Sequence, residues 1–202
     1  MRTRIVIADT EACRELLRDP GRFCCRKKLG AIMALTDPKL RDERLLAHLA
    51  LAYAVHGEAA PVECGYDSRG KPVMEGGYIS VSHSGRFAAA AFSPVPVGVD
   101  VEAVRPVSEA AALRFLCPKE AEAYHMDNSG QYALCRFVMK EAFLKMTGEG
   151  IFARPDTVYE TAGRVFRRGV LAGFALPLSG DGYEACLVTK TECETEVLFL
   201  TR

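Results

Sequence analysis

The chain has 202 residues, 49% of them hydrophobic and 26% charged, an ordinary globular balance with enough length to bury a core in one large domain or two small ones. Lys plus Arg and Asp plus Glu each total 26, and a net charge of zero argues against a general nucleic-acid binder. No apolar run approaches the ~20 residues of a membrane-spanning helix, and the eight cysteines form no Cys-x-x-Cys pair, which argues against structural zinc and for reduced thiols in a cytoplasmic protein.

The chain opens on Ile5-Val6-Ile7-Ala8, a brief apolar run ended by Asp9 and too short for a signal-peptide core. Helices are expected around Thr10–Leu17 and Phe23–Leu35. A third is better marked: Asp37 can cap it, Pro38 suits the first helical position, and Leu45, Leu49, Ala52 and Tyr53 recur at helical spacing. Residues 57–72 read as loops, with a turn at Asp67-Ser68-Arg69-Gly70.

Three short strands are expected next, at Tyr78–His83, Arg86–Ser93 and Val97–Glu102. Beyond Pro106 the pattern turns helical, with Ser108 capping Glu109–Phe115, Pro118 opening a helix through Tyr124, and Ser129–Thr147 ended by Gly148 and Gly150. From Thr157 to Thr201 the chain is strand-like again, punctuated by glycines. Helices, strands, helices, strands in two stretches of similar length suggest an α+β chain of two related halves, residues 1–103 and 104–202.

Four clusters can carry chemistry. In Val97-Gly98-Val99-Asp100-Val101-Glu102 the period of two puts both carboxylates on one strand face, roughly 7 Å apart, with Gly98 beside them. Like charges so close need a cation, a basic partner or open water; a solvated strand end and a cation site both satisfy that. Glu141 and Lys145 share a helix face, either as a surface ion pair or, among Phe137, Val138 and Leu144, as a partly buried carboxylate needing a counter-charge. Asp100, Glu102 and Glu141 together would suit Mg²⁺ on a pyrophosphate better than zinc.

Ser80-Val81-Ser82-His83-Ser84-Gly85 can bind phosphate oxygens, or can be a hydrogen-bonded turn with a structural histidine. A hydrolase with Ser82 or Ser84 as nucleophile, His83 as base and Asp100 as orienter is a further reading, but the first glycine of a nucleophile elbow is missing. Arg22, Arg26, Lys27 and Lys28, with Arg41 and Arg44 on the next helix, form a basic cluster that is either a solvated face or a ligand contact.

In these motifs the sequence resembles the Sfp-type 4′-phosphopantetheinyl transferases. Their Gly-Val/Ile-Asp strand is present as Gly98-Val99-Asp100, and their Lys-Glu-Ala/Ser-x-x-Lys helix as Lys140-Glu141-Ala142-Phe143-Leu144-Lys145, with Glu141 41 positions after Asp100. Gly70-Lys71-Pro72 and Ser82-His83-Ser84 match further family segments in order, and the likeness is clearest over about residues 70–151. Val138 departs from the usual small polar residue, and Phe137 stands where many members have Trp.

The resemblance implies a pseudo-dimeric α+β fold, each half with helices on a small antiparallel sheet and coenzyme A bound between them. It implies Mg²⁺ held by Asp100, Glu102 and Glu141, with Glu120 close by, Lys71 at the adenine, and Lys28, Arg44, Ser82 and His83 near the phosphates. Glu141 would act as base, with Lys145 and Lys140 assisting. The implied reaction moves phosphopantetheine from coenzyme A to a serine of an apo acyl or peptidyl carrier protein, in a cytoplasmic monomer with no nucleic-acid or membrane partner. A Mg²⁺-dependent phosphohydrolase and a non-catalytic coenzyme A-binding protein are the alternatives.

Overall fold

The computed structural model describes residues 2–127, 129–149 and 154–201. Its first element corrects the sequence reading. Thr3–Asp9, where only a brief apolar run and no element was expected, is a strand, β1, in the interior of a sheet. Ile5 and Ile7 face one apolar layer while Val6 and Ala8 face another. A strand buried on both faces shows no polar alternation, so periodicity could not mark it.

The first two helices are shorter than expected, α1 at Arg14–Leu17 and α2 at Arg26–Met33, with a 3₁₀ turn over Pro20–Arg22 between them. The third is as its signals predict. Helix α3 spans Pro38–His56, the Asp37 carboxylate accepts from the Lys39 N–H, and Gly57 ends it at φ 80°. The expected turn joins β2, Gly65–Tyr66, to β3, Pro72–Val73, with the Asp67 carboxylate accepting from the N–H groups of Arg69 and Lys71.

Strands β4 (Tyr78–Ser84), β5 (Phe87–Ser93) and β6 (Val97–Ala103) follow, then helices α4 (Glu109–Ala112), α5 (Pro118–Asp127) and α6 (Gly130–Thr147). Gly148, at φ 71°, ends α6, while the second expected stop, Gly150, lies outside the described residues. The strand-like tail contains β7 (Val158–Thr161), β8 (Arg164–Arg167), β9 (Val170–Gly180), β10 (Tyr183–Thr189) and β11 (Thr195–Leu200). No helix among the described residues is long and apolar enough to cross a membrane.

The first sheet has the order β11-β1-β5-β4 and the second β6-β10-β9-β8-β7. Within them one unit occurs twice: a strand, a long helix, then a hairpin whose second strand pairs antiparallel with the opening strand. In the first copy β1-β5-β4 lies under α3, and in the second β6-β10-β9 lies under α6. That repetition supports the α+β fold of two related halves. Hydrogen bonding assigns β6 to the second sheet, so the division we propose falls between β5 and β6 instead of after residue 103. Strand β11 returns to the first sheet, parallel to β1.

The layers run α3, first sheet, second sheet, α6. Ile5, Ile7, Phe87 and Ala89 meet Val97, Val99, Val101 and Leu187 between the sheets, while Cys186 and Val188 face α6. Gly98 explains how close α6 comes. A Cβ there would lie 1.9 Å from the Ala142 carbonyl oxygen and 2.4 Å from the Met146 nitrogen, so the helix backbone rests on the space a side chain would fill.

Candidate functional site

The edge strands of the two sheets, β4 and β6, meet through side chains. The period of two turns Ser80, Ser82 and Ser84 toward β6, and each hydroxyl finds a partner there. Ser80 Oγ accepts from the Val99 N–H at 3.0 Å, Ser82 Oγ donates to Asp100 Oδ1 at 2.7 Å, and Ser84 Oγ donates to Glu102 Oε2 at 2.8 Å. Gly98, Asp100 and Glu102 occupy the face of β6 turned to α6.

Lys145 reaches in from α6. Its Nζ donates to Asp100 Oδ1 at 2.6 Å and to Ser82 Oγ at 2.7 Å, closing a triangle across the two sheets and the helix. Asp100 is buried, and its Oδ2 has no hydrogen-bond partner among the described residues. Glu141, one turn before Lys145, stands in the same field. Burial first, then the Asp100 charge, pushes its carboxyl above the usual range, with Lys145 opposing. Burial does the same to Glu102, against the Ser84 hydrogen bond.

The opposite face of β4 points at α3. There His83 Nδ1 lies 3.3 Å from Glu43 Oε2. His83 therefore turns away from Ser82 and Ser84, and no serine–histidine pair forms among the described residues, which removes the geometric basis of the serine hydrolase reading. Burial and the neighbouring Arg44 draw the imidazole below its ordinary range, with Glu43 opposing.

Between α3, β4 and the end of α6 lies a cleft of about 350 Å³. Lys28, Arg44, Ser82, His83 and Lys145 line it together, with Tyr66 and His48. Sequence reasoning missed these last two. His48 follows Arg44 by four positions on α3, a spacing that could have found it; nothing in the sequence marked Tyr66, whose hydroxyl lies 2.5 Å from Lys28 Nζ. His48 is buried, and burial followed by the Lys28 and Arg44 charges lowers it to about 4. Lys71 is tied to the helix end, its Nζ donating to the Met146 carbonyl at 2.9 Å.

Two expected participants belong elsewhere. Lys140 is buried and donates to Glu120 Oε2 at 2.5 Å and to the Phe115 carbonyl at 2.7 Å. Neighbouring residues on a helix diverge by about 100°, so Lys140 cannot share the face of Glu141. Glu120 is thereby committed to the lysine rather than to the carboxylates on β6. A larger cavity of about 720 Å³, lined by Glu120, Tyr132 and Arg136, contains none of Asp100, Glu102, Glu141 and Lys145.

Among the described residues no three His, Cys, Asp or Glu side chains are gathered closely enough to hold a metal ion as they stand. The donor chemistry nevertheless fits a hard divalent cation. The candidates are all carboxylates, Asp100 Oδ2 is a buried acceptor with nothing to accept from, and such a cation completes its shell with water and phosphate rather than a full protein cage.

Residues 96–175 match the family model of the 4′-phosphopantetheinyl transferase superfamily. A 4′-phosphopantetheinyl transferase of Bacillus subtilis is 29% identical over 158 residues, 75% of this chain and 67% of that protein. The 4′-phosphopantetheinyl transferase HetI of a Nostoc species is 38% identical over 106 residues, 46% of this chain and 45% of HetI. Sfp of Bacillus subtilis is 34% identical over 83 residues, covering 40% of this chain and 37% of Sfp. The match thus spans about two thirds of the first relative's length and less than half of the other two. A holo-[acyl-carrier-protein] synthase from Thermotoga maritima aligns at a TM-score of 0.39 with 27% identity, covering 50% of this chain and 64% of that one.

Proposed function

We propose that this chain transfers the 4′-phosphopantetheine of coenzyme A to a serine of an apo carrier protein, releasing 3′,5′-ADP. The observation that carries the reading is the junction of Lys145, Asp100 and Ser82 at the mouth of a cationic cleft. It joins Ser82 of the first half to Asp100 and Lys145 of the second, and the family match covers Asp100, Glu141 and Lys145.

Each residue's task follows from charge. Lys28, Arg44 and His83 would bind the phosphates, and Lys71 would border the adenine beside the end of α6. Asp100, Glu102 and Glu141 would hold Mg²⁺, which when bound neutralises phosphoryl oxygens and eases departure of an anionic leaving group. A carrier serine hydroxyl attacks the β-phosphorus, forming one P–O bond as the bond to 3′,5′-ADP breaks. Glu141 would accept the serine proton, being the carboxylate that α6 brings beside Lys145 and the Asp100 field. Lys145 leaves Asp100 to meet the charge growing on the leaving phosphate. Positioning and neutralisation supply most of the rate in such phosphoryl transfers. The eight free thiols accord with a cytoplasmic setting, and two halves in one chain with a monomer.

Intact-mass spectrometry of an apo carrier incubated with the chain, coenzyme A and Mg²⁺ tests this. The expected result is a gain of one phosphopantetheine that EDTA abolishes. Coenzyme A binding without mass gain on acyl, peptidyl or aryl carriers would replace the transferase with a non-catalytic binder. Release of 3′,5′-ADP with no carrier present would favour a phosphohydrolase.

A further inference from the structure

The cleft is lined by the cations Lys28, Arg44 and Lys145 and, among the described residues, by no carboxylate, but two carboxylates stand behind its lining, Asp100 against Lys145 and Glu43 against His83. Glu43, on α3, has a side chain only 16% exposed, and its Oε2 lies 3.3 Å from Nδ1 of His83, which lines the cleft. A carboxylate placed beside a phosphate site repels the ligand unless its charge serves a neighbour. Here the neighbour is evident: with Nδ1 held by Glu43, Nε2 is the ring nitrogen left to the cleft that His83 lines, and it has no protein partner among the described residues.

We propose that Glu43 is a positioning residue for phosphate recognition: by holding Nδ1–H of His83 it aims Nε2 into the cleft and stabilises the imidazolium that donates to a ligand phosphate. The inference rests on the cleft being the coenzyme A phosphate site. In the ligand-free protein the charged groups facing His83 are Arg44 and Glu43 from α3 and Lys145 from α6, and burial with the two cations outweighs Glu43. The ring is then neutral, its one proton on Nδ1 toward Glu43, and Nε2 carries a lone pair that a phosphate cannot use.

An arriving phosphate dianion reverses the balance. It offsets Arg44 and Lys145, a proton is taken up on Nε2, and the ring donates to Glu43 on one side and to phosphate on the other. Glu43 thus converts a histidine that would stay neutral among cations into a charge that appears only with ligand. Removing the carboxylate takes away the one interaction that raises His83.

Two measurements test this on the full chain. The first needs no ligand: imidazole ¹⁵N spectra should show His83 protonated at Nδ1 in the wild type and shifted toward Nε2 in Glu43→Leu. A wild-type ring protonated at Nε2 overturns the inference whatever the chain binds. The second is calorimetry of coenzyme A binding at pH 8 in buffers of different ionisation enthalpy. The wild type should take up close to one proton, Glu43→Leu less than about half of that with affinity lower by roughly tenfold, and Glu43→Asp, which keeps the charge, should recover part of both. Equal proton uptake by wild type and Glu43→Leu overturns the role of Glu43 and leaves the transferase reading intact. Failure of the wild type to bind coenzyme A overturns that reading and the inference with it.

Discussion

Replacing Gly98 by alanine adds one methyl group where the structure has least room for it. The new Cβ would meet the Ala142 carbonyl oxygen at 1.9 Å and the Met146 nitrogen at 2.4 Å, against ordinary contacts of 3.4–4 Å. Both atoms belong to the main chain of α6, so no side chain can rotate away, and the helix must retreat by about 1.5 Å (3.4 minus 1.9). Overpacking in a formed core costs about 1–3 kcal/mol, and a contact with main chain belongs at the upper end. For a chain of this size that lowers Tm by roughly 6–12 °C. The chemistry should suffer more, because Ala142 lies between Glu141 and Lys145 on the displaced helix, and an error of about 1 Å in reacting groups costs on the order of 10²-fold in rate. Thermal unfolding and the initial rate of carrier mass gain, measured below the lowered Tm, separate the two effects. A Gly98→Ala chain within about 1 kcal/mol of wild type and with full transfer would refute the argument that Gly98 sets the seat of α6.

Other expectations follow from the same site. Glu141→Ala should lose carrier modification and also weaken Mn²⁺ binding followed by electron paramagnetic resonance, whereas near-normal transfer would remove Glu141 from the mechanism. Lys145→Ala should cut turnover by roughly 10²-fold while coenzyme A affinity, read by calorimetry, changes only a few-fold. Lys140→Met strands the Glu120 carboxylate in the interior and should cost about 3–5 kcal/mol in urea unfolding; Glu120→Gln combined with it should recover much of that. For His48 the folded-state value of about 4 lies below the ordinary 6.5, so the native protein binds this proton more weakly than the unfolded chain. The stability is fully present above pH 6.5 and is lost as pH falls toward 4, by about 3 kcal/mol in all. His48→Leu should flatten that slope in denaturant titrations at pH 4.5 and 7.

The signals that read correctly were local ones. Asp37 and Pro38 announced α3, Ser129 and Gly148 bracketed α6, and strict alternation placed Val99 and Val101 in the core with Asp100 and Glu102 on the other face. The spacing that brought Glu141 and Lys145 to one helix face also held. What failed depended on distant parts of the chain. Ile5-Val6-Ile7 is only a brief apolar run until the layers on both sides of β1 are known. The commitment of Lys140 to Glu120 across 20 residues is invisible in a motif that sets Lys140 beside Glu141. Likewise, nothing near His83 predicts Glu43, because the contact joins a helix to a strand 40 positions away.

The pairing of β11 with β1 has a consequence for synthesis. Thr3 aligns with Thr195 and Arg4 with Glu196, so the outer edge of β1 is covered by a segment emerging from the ribosome about 190 residues later. At ordinary elongation rates that interval is roughly 10–40 s. Throughout it the nascent first half presents a strand edge of free N–H and C=O groups, flanked by Ile5, Val6 and Ile7. Stalled chains lacking residues 195–200 should therefore be good chaperone substrates, and completion of the first sheet waits for those residues rather than following from the first hundred.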